Sequence, residues 1–113
     1  MTSIDHIGIA TKSIDSALPF WKTLGFKVSG GGIVKEQGVE VRYMQNMSDT
    51  RIELLEPTGS DTPVGRFIER RGEGIQQLAI SVPDIEETIK KLTKIGVIMI
   101  NSEPQIGHGG NRI

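Results

Sequence analysis

Two stretches of the chain, Ile4–Val28 (IDHIGIATKSIDSALPFWKTLGFKV) and Ile75–Met99 (IQQLAISVPDIEETIKKLTKIGVIM), align without a gap at an offset of 71 residues. Only four of the 25 aligned positions are identical, but the two stretches share a pattern of residue types. Each stretch begins with alternating apolar residues, typical of a strand with one buried side, and continues with the spacing of an amphipathic helix. The alignment therefore predicts two copies of one structural unit.

The helix signals agree between the two copies. Ser13 and Asp84 stand at the expected N-cap positions, and Gly25 and Gly96 stand where a left-handed residue ends a helix. Pro19 lies inside the first helix and predicts a kink or a shortened first half. The apolar stripes are Ile14, Ala17, Leu18, Trp21 and Leu24 in the first helix, and Ile85, Ile89, Leu92 and Ile95 in the second.

The remainder of the first copy is rich in strand signals. Further strands are predicted at Phe26–Val28, Val39–Met44 and Thr50–Leu55, with a flexible loop at Ser29–Gly32. After a connector with a short helix from Asp61, the second copy supplies a strand, a helix and a strand at Val97–Ile100. We therefore predict an α+β fold of two tandem βαβββ units in one curved mixed sheet.

The predicted single domain covers residues 1–113, with unit one at 1–56, the connector at 57–74 and a partial unit two at 75–113. The second unit is incomplete at its C-terminus, because it lacks its last strand and most of the preceding one. An open sheet edge favours aggregation. We therefore expect the natural chain to continue beyond Ile113.

Composition excludes several classes of protein. The 113 residues carry 13 Lys and Arg against 14 Asp and Glu, a balance that predicts no nucleic-acid or anionic-membrane partner. The absence of cysteine excludes disulfides, thiolate metal sites and iron–sulfur clusters. No segment has the length and apolarity of a membrane span, and the N-terminus lacks the pattern of a signal peptide. These features predict a cytoplasmic protein.

Three polar residues form a candidate metal site. His6 and Gln77 occupy equivalent positions on the first strands of the two copies, on the side away from the helices. Glu53 lies on a strand of the first unit, on the face that alternation also gives to Arg51. A carboxylate inside a sheet needs a cation or a proton. Imidazole, amide and carboxylate together suit a divalent ion of intermediate hardness.

Simpler interpretations of these residues stay open at this point. His6 and Gln77 could be exposed polar residues at strand entries, and Glu53 could pair with Arg42 or Arg51. The glycine-rich segment 105–112 brings polar groups to a flexible backbone that could approach a ligand closely, and an ordinary loop explains it equally well. Its polar side chains are His108, Asn111 and Arg112.

The whole chain resembles the vicinal oxygen chelate superfamily and, within it, the methylmalonyl-CoA epimerase family. The resemblance rests on IDHIGIA, KEQGVEVRYM, RIELLEP, the connector GSDTPVGRFIERRGEGI, PDIEETIKKL and the final EPQIGHGGNRI. It implies two βαβββ units around a divalent metal ion (Co, Mn, Mg or Zn) and an isomerase that epimerises methylmalonyl-CoA. The expected reaction removes the α-proton of the thioester while the metal stabilises the enolate.

The resemblance also assigns residues. The implied metal ligands are His6, Glu53 and Gln77, where the family's Gly-[Ile/Leu]-His-His motif reads Gly74-Ile75-Gln76-Gln77. The implied contacts to an acyl-CoA substrate are Gln37, His108, Asn111 and Arg112. The fourth ligand of the family, a Glu linked to proton transfer, lies beyond Ile113, so no catalytic residue is assigned.

Replacing imidazole by the harder amide of Gln77 predicts weaker binding and a preference for Mg, Mn or Co over Zn. A homodimer is expected by the same resemblance. Two alternatives remain: a glyoxalase-type lyase or isomerase with another substrate, and a ligand-binding protein of this fold without catalysis.

Overall fold

Five strands and three α-helices make up the part of the chain that the computed structural model describes, residues 1–100, 104 and 113. The chain forms two compact units, one of Ile4–Ile80 and the other of Met1–Ser3 with Ser81–Ile113. The elements in chain order are β1 Ser3–Ala10, α1 Ile14–Thr23, β2 Lys27–Val34, a 3-10 turn Lys35–Gln37, β3 Val39–Gln45, β4 Arg51–Pro57, α2 Pro63–Arg71, β5 Gly74–Ser81 and α3 Ile85–Lys94.

The sheet has the strand order β2-β3-β4-β1-β5. β1 runs parallel to β4, whereas β3 is antiparallel to both β2 and β4. This mixed sheet with helices confirms the predicted α+β class, and the first unit has the predicted strand–helix–strand–strand–strand order. The division of the chain into a domain of 1–113 with a second, partial unit stays a prediction.

Alternation along the strands produces two apolar faces. On one face, α1 packs with Ile7 and Ile9 of β1 around a core of Ile14, Met44, Ile52 and Leu54. Leu24, which was predicted to be part of the apolar stripe, follows the helix and is 59% exposed. On the other face, Val64 and its neighbours on α2 pack against the core residues Ala10, Val39, Val41 and Leu55. The α2 helix therefore covers one part of that face, near the C-terminal ends of β1 and β4 and the start of β3. The part that it leaves uncovered lies nearer the N-terminal ends of β1 and β4.

The predicted helix signals are confirmed in detail. The Ser13 hydroxyl accepts from the N–H of Ser16 at 3.2 Å, and the Asp84 carboxylate accepts from the N–H of Glu87 at 3.1 Å. Gly25 and Gly96 have φ of 98° and 97°, a left-handed conformation that costs glycine little. The predicted shortening of the first half at Pro19 is wrong, because α1 runs from Ile14 to Thr23 with Pro19 inside it, and the alternative of a kink stays a prediction.

The predicted loop at Ser29–Gly32 is wrong, because these residues belong to β2. Gly30 and Gly31 pair with Tyr43 and Arg42 of β3, just after a register shift. A side chain at Gly31 would collide with the Val41 carbonyl, and one at Gly30 would press on the Tyr43 ring. The glycines therefore permit a close approach of two strands, which composition alone does not distinguish from flexibility.

The predicted strand at Val97–Ile100 is also wrong, since these residues have no strand structure. Its equivalent in the first copy is β2, which pairs with β3 alone. Within residues 1–100 no strand follows β5 to take the role of β3. A chain segment without a neighbour to hydrogen-bond is not held extended.

In residues 1–100 no helix is long and apolar enough to span a membrane.

Candidate functional site

Three adjacent strands place polar side chains on the part of the sheet face that α2 leaves uncovered. His6 of β1 lies opposite Arg51 of β4, and Gly8 lies opposite Glu53. On the other side of β4, Tyr43 of β3 lies opposite Glu53. Partners across a ladder share a face, as do alternate residues of one strand. These five residues therefore surround one patch of the sheet.

The His6 imidazole contacts two carboxylates. Its Nδ1 lies 2.8 Å from Oδ2 of Asp5 and 3.1 Å from Oε2 of Glu53. Glu53 is buried, with 7% of its surface exposed, and the His6 side chain is also mostly covered. Because an ionised carboxylate only accepts hydrogen bonds, both contacts require a proton on Nδ1.

Arg51 contributes a positive charge to the patch. Its guanidinium donates to Oδ2 of Asp5 at 2.8 Å and lies 5.3 Å from the centre of the Tyr43 ring. The pKa of Asp5 is lowered by its hydrogen bond from His6 and then by the bond from Arg51, and the pKa of Arg51 is raised by Asp5. The pKa of Tyr43 is raised, mainly by burial and to a smaller extent by the charge of Glu53.

Gln77 reaches this patch from β5. Its side chain passes over Gly8, so that Nε2 would be 2.9 Å and Cδ 3.0 Å from a β-carbon built on that glycine. Gly8 therefore provides the space in which the Gln77 side chain lies. The three residues predicted as metal ligands are thus gathered on one face of the sheet.

These side chains suit a divalent cation. In residues 1–100 no group of three or more His, Cys, Asp and Glu side chains is arranged to hold a metal ion. A cation bound at this patch would add the amide of Gln77 to the imidazole of His6 and the carboxylate of Glu53. Such a nitrogen and oxygen set leaves further coordination positions to water or substrate.

Other predicted or considered residues lie elsewhere. Gln37 is exposed in the 3-10 turn before β3. Val39, the first residue of β3, is four residues from Tyr43, which is about 13 Å along a strand, so Gln37 is at least that far along the chain from the patch. Glu40 alternates with Val41 and Tyr43 along β3, so it lies on the opposite face from Glu53. There it forms an ion pair with Arg42 at 2.9 Å. The predicted substrate contacts His108, Asn111 and Arg112 lie outside the residues that the structure describes.

Sequence reasoning missed two members of the patch, Asp5 and Tyr43, and left the partner of Arg51 open. The structure pairs Arg51 with Asp5 and pairs Arg42 with Glu40. Asp5 directly precedes His6 on β1, and alternation along a strand places neighbouring side chains on opposite faces, so no local pattern predicted their contact. The position of Tyr43 depended on the register of β3 with β4, which no local pattern specifies.

Comparison with known proteins places the chain in a family. Residues 5–113 match the model of the glyoxalase/bleomycin resistance protein/dioxygenase superfamily. The uncharacterized protein YqjC of Bacillus subtilis is 35% identical over 100% of this chain and 81% of its own length. The human mitochondrial methylmalonyl-CoA epimerase is 30% identical over 97% of this chain, which spans 63% of the human protein.

Solved structures agree with the sequence relatives. A hypothetical protein from Bacillus halodurans superposes with a TM-score of 0.93 at 42% identity, covering 98% of this chain and 80% of that protein. A variant of the Streptomyces coelicolor methylmalonyl-CoA epimerase, in complex with 2-nitronate-propionyl-CoA, gives a TM-score of 0.87 at 34% identity, with coverage of 96% and 82%. The chain therefore belongs to the glyoxalase/bleomycin resistance protein/dioxygenase superfamily, and its relatives include methylmalonyl-CoA epimerases.

Proposed function

We propose that this protein is a metal-dependent epimerase that interconverts the stereoisomers of methylmalonyl-CoA. The observation that carries the proposal is the convergence of His6, Glu53 and Gln77 on one face of the sheet, beside Gly8. Relatives of known activity support the choice of substrate, since they include methylmalonyl-CoA epimerases and one structure with an acyl-CoA analogue.

In this proposal the three side chains bind and orient a divalent ion. Such an ion supplies a Lewis acid that stabilises the enolate oxygen formed when the α-proton of the thioester leaves. Glu53 contributes a negative charge held by the sheet, and burial keeps water from screening it. The apolar side chains of α2 cover the neighbouring part of the face, so that the polar side chains of the patch occupy the end nearer the N-termini of β1 and β4.

The substrate contacts remain part of the proposal. Gln37 stands on an exposed turn just before the start of β3, where it can meet a part of the substrate remote from the reacting carbon. His108, Asn111 and Arg112 offer donors for the polar groups of an acyl-CoA. We also propose a homodimer, which size-exclusion chromatography with light scattering tests directly.

Proton exchange at the α-carbon tests the function. Methylmalonyl-CoA in D2O should lose its α-proton signal in the NMR spectrum when the protein and Co²⁺ or Mn²⁺ are added, and a chelator should stop the loss. His6→Ala and Glu53→Gln should lower the exchange rate by at least about tenfold, because each removes a cation ligand. Asp61→Asn is the matched control, since Asp61 is an exposed carboxylate paired with Arg66, outside the strands that carry the candidate ligands.

Two other functions are distinguished by the same assay. Gln77 in place of a histidine favours a changed substrate or a loss of catalysis. Cation binding without α-proton exchange would reject the epimerase and support a glyoxalase-type enzyme with another substrate. Absence of both cation binding and exchange would support a ligand-binding protein.

A further inference from the structure

The carboxylate of Glu73, just before β5, holds the turn that follows β1. Its Oε2 atom accepts from the backbone N–H of Lys12 at 2.7 Å and from the Thr11 hydroxyl at 3.0 Å. Thr11 is itself fixed, because it is buried and its N–H donates to the carbonyl of Leu55 on β4 at 2.9 Å. The contact therefore ties an exposed side chain at the start of β5 to an anchored point of the sheet.

Gly72 turns the chain from α2 toward this contact. Its N–H donates to the Ile68 carbonyl at 2.7 Å, which ends the helix, and its φ of 79° with ψ of −171° is accessible almost only to glycine. A β-carbon at Gly72 would meet nothing within 4 Å, so the glycine serves the backbone conformation rather than close packing. This turn places Glu73 beside the end of β1.

Glu73 and Gln77 stand at two points of the same strand pairing. β5 is the neighbour of β1 in the sheet, and Gln77 passes over Gly8 of β1. Lys12 lies four residues after Gly8. Glu73 lies four residues before Gln77, so the two contacts fit one register of strands that run in opposite directions. Holding Glu73 in place therefore fixes where Gln77 meets β1.

Side-chain burial alone specifies this register only weakly. In residues 1–100 β5 is an edge strand with β1 as its one neighbour. Ile75 shares the face of Gln77 and is 68% exposed, while Leu78 and Ile80, on the other face, are each 55% exposed. A strand with neither face buried can slip, and a slip by one residue moves every side chain to the other face. A slipped β5 would take the amide of Gln77 away from the candidate site.

We infer that Glu73 is a positioning residue, whose hydrogen bonds to Thr11 and Lys12 hold β5 in the register that places the Gln77 amide at the candidate metal site. The inference deepens the proposed function and rests on it for the role of Gln77 as a ligand. Where only a fraction of the molecules holds Gln77 in place, the apparent dissociation constant of the cation rises in inverse proportion to that fraction. Glu73 therefore acts on cation affinity without contacting the cation.

Nuclear magnetic resonance of the metal-free protein tests the position of Gln77. Nuclear Overhauser effects between its side chain and the Gly8 α-protons should be present in the wild type and lost in Glu73→Ala. Amide hydrogen exchange in β5 should become about three- to tenfold faster in that variant, as expected for the loss of about one hydrogen bond, and should stay unchanged in β3 and β4. Glu73→Gln, whose amide oxygen still accepts, should resemble the wild type. Asp61→Ala, which removes another exposed carboxylate, should change neither measurement.

Calorimetric titration with Mn²⁺ tests whether Glu73 acts through Gln77. Glu73→Ala should bind about three- to tenfold more weakly than the wild type, and Glu73→Gln should recover most of the affinity. In a Gln77→Ala background, Glu73→Ala should cause no further loss, because the ligand that it positions is already absent. A purely structural role would instead weaken binding equally in both backgrounds. Thermal melting confirms that each variant is folded.

The outcomes separate the inference from the proposed function. Unchanged contacts between Gly8 and Gln77 in a folded Glu73→Ala overturn the inference, even where the wild type exchanges the α-proton. An unchanged Mn²⁺ affinity in Glu73→Ala, or an equal loss with and without Gln77, overturns it as well. Lost contacts with a Mn²⁺ effect that requires Gln77 support it, even if methylmalonyl-CoA proves not to be the substrate. If the wild type binds no Mn²⁺, the proposed cation site fails, and the contacts of Gln77 alone decide whether Glu73 positions it.

Discussion

Gln77 lies directly over Gly8, so close that no β-carbon fits at residue 8. Gly8 in turn pairs with Glu53 across β1 and β4. Gly8 of the first copy of the repeat therefore lies against Gln77 of the second copy at the candidate site. The reason for glycine at this position is the space for the amide, since its φ does not lie in the left-handed region.

The Gly8→Ala variant should push the Gln77 side chain away from the patch. Displacement of one of three ligands should weaken Mn²⁺ binding by about tenfold, and the crowding should cost about 1–3 kcal/mol of unfolding free energy. Titration calorimetry and thermal unfolding measure the two effects. Gly59→Ala is the matched control, because a β-carbon there meets nothing within 4 Å.

Gln77→His should change which metal ion binds best. Imidazole is a softer donor than an amide oxygen, so the variant should gain affinity for Zn²⁺ more than for Mg²⁺ or Mn²⁺. Competition titrations of wild type and variant with each ion measure the ratio. Equal Zn²⁺ affinities in the two proteins would contradict a role for Gln77 as a ligand.

Much of this site was accessible from the sequence, because its members follow local rules. The repeat placed His6 and Gln77 on equivalent strands, and alternation placed Glu53 and Arg51 on one face. The pairing of Arg51 with Asp5 was not accessible, since it depends on the register of β1 against β4. Register is decided by packing between strands distant in sequence, which a single pattern does not report.

The carboxylate of Glu73 should make stability depend on pH. It accepts from the backbone N–H of Lys12 at 2.7 Å and from the Thr11 hydroxyl at 3.0 Å, and these bonds lower its pKa from the ordinary value of 4.5. A carboxyl whose folded-state pKa is lowered contributes stability that is complete above its unfolded pKa and is lost as pH falls through the folded value.

Glu73→Gln should therefore lower the unfolding free energy at pH 7 by less than about 1 kcal/mol, because the carboxylate is exposed. The difference between wild type and variant should shrink below pH 4.5 and disappear once the wild-type carboxyl is protonated. Urea unfolding at a series of pH values measures it. Glu69→Gln is the control for a change from carboxyl to amide four residues earlier in the chain. A constant difference from pH 7 to pH 3 would contradict the assignment.

Alanine substitutions along the glycine run test whether it is a strand. At Gly31 a β-carbon would collide with the Val41 carbonyl and would lie 3.0 Å from Nε of Arg42, whereas at Gly30 it would lie 3.3 Å from the Tyr43 ring. A collision with backbone cannot be relieved by a change of rotamer, but a side-chain contact can. Gly31→Ala should therefore cost about 1–3 kcal/mol or more, and Gly30→Ala clearly less. Urea unfolding measures both against Gly59→Ala. A flexible loop would tolerate all three equally, so equal stabilities would mean that β2 does not pair with β3 at these residues.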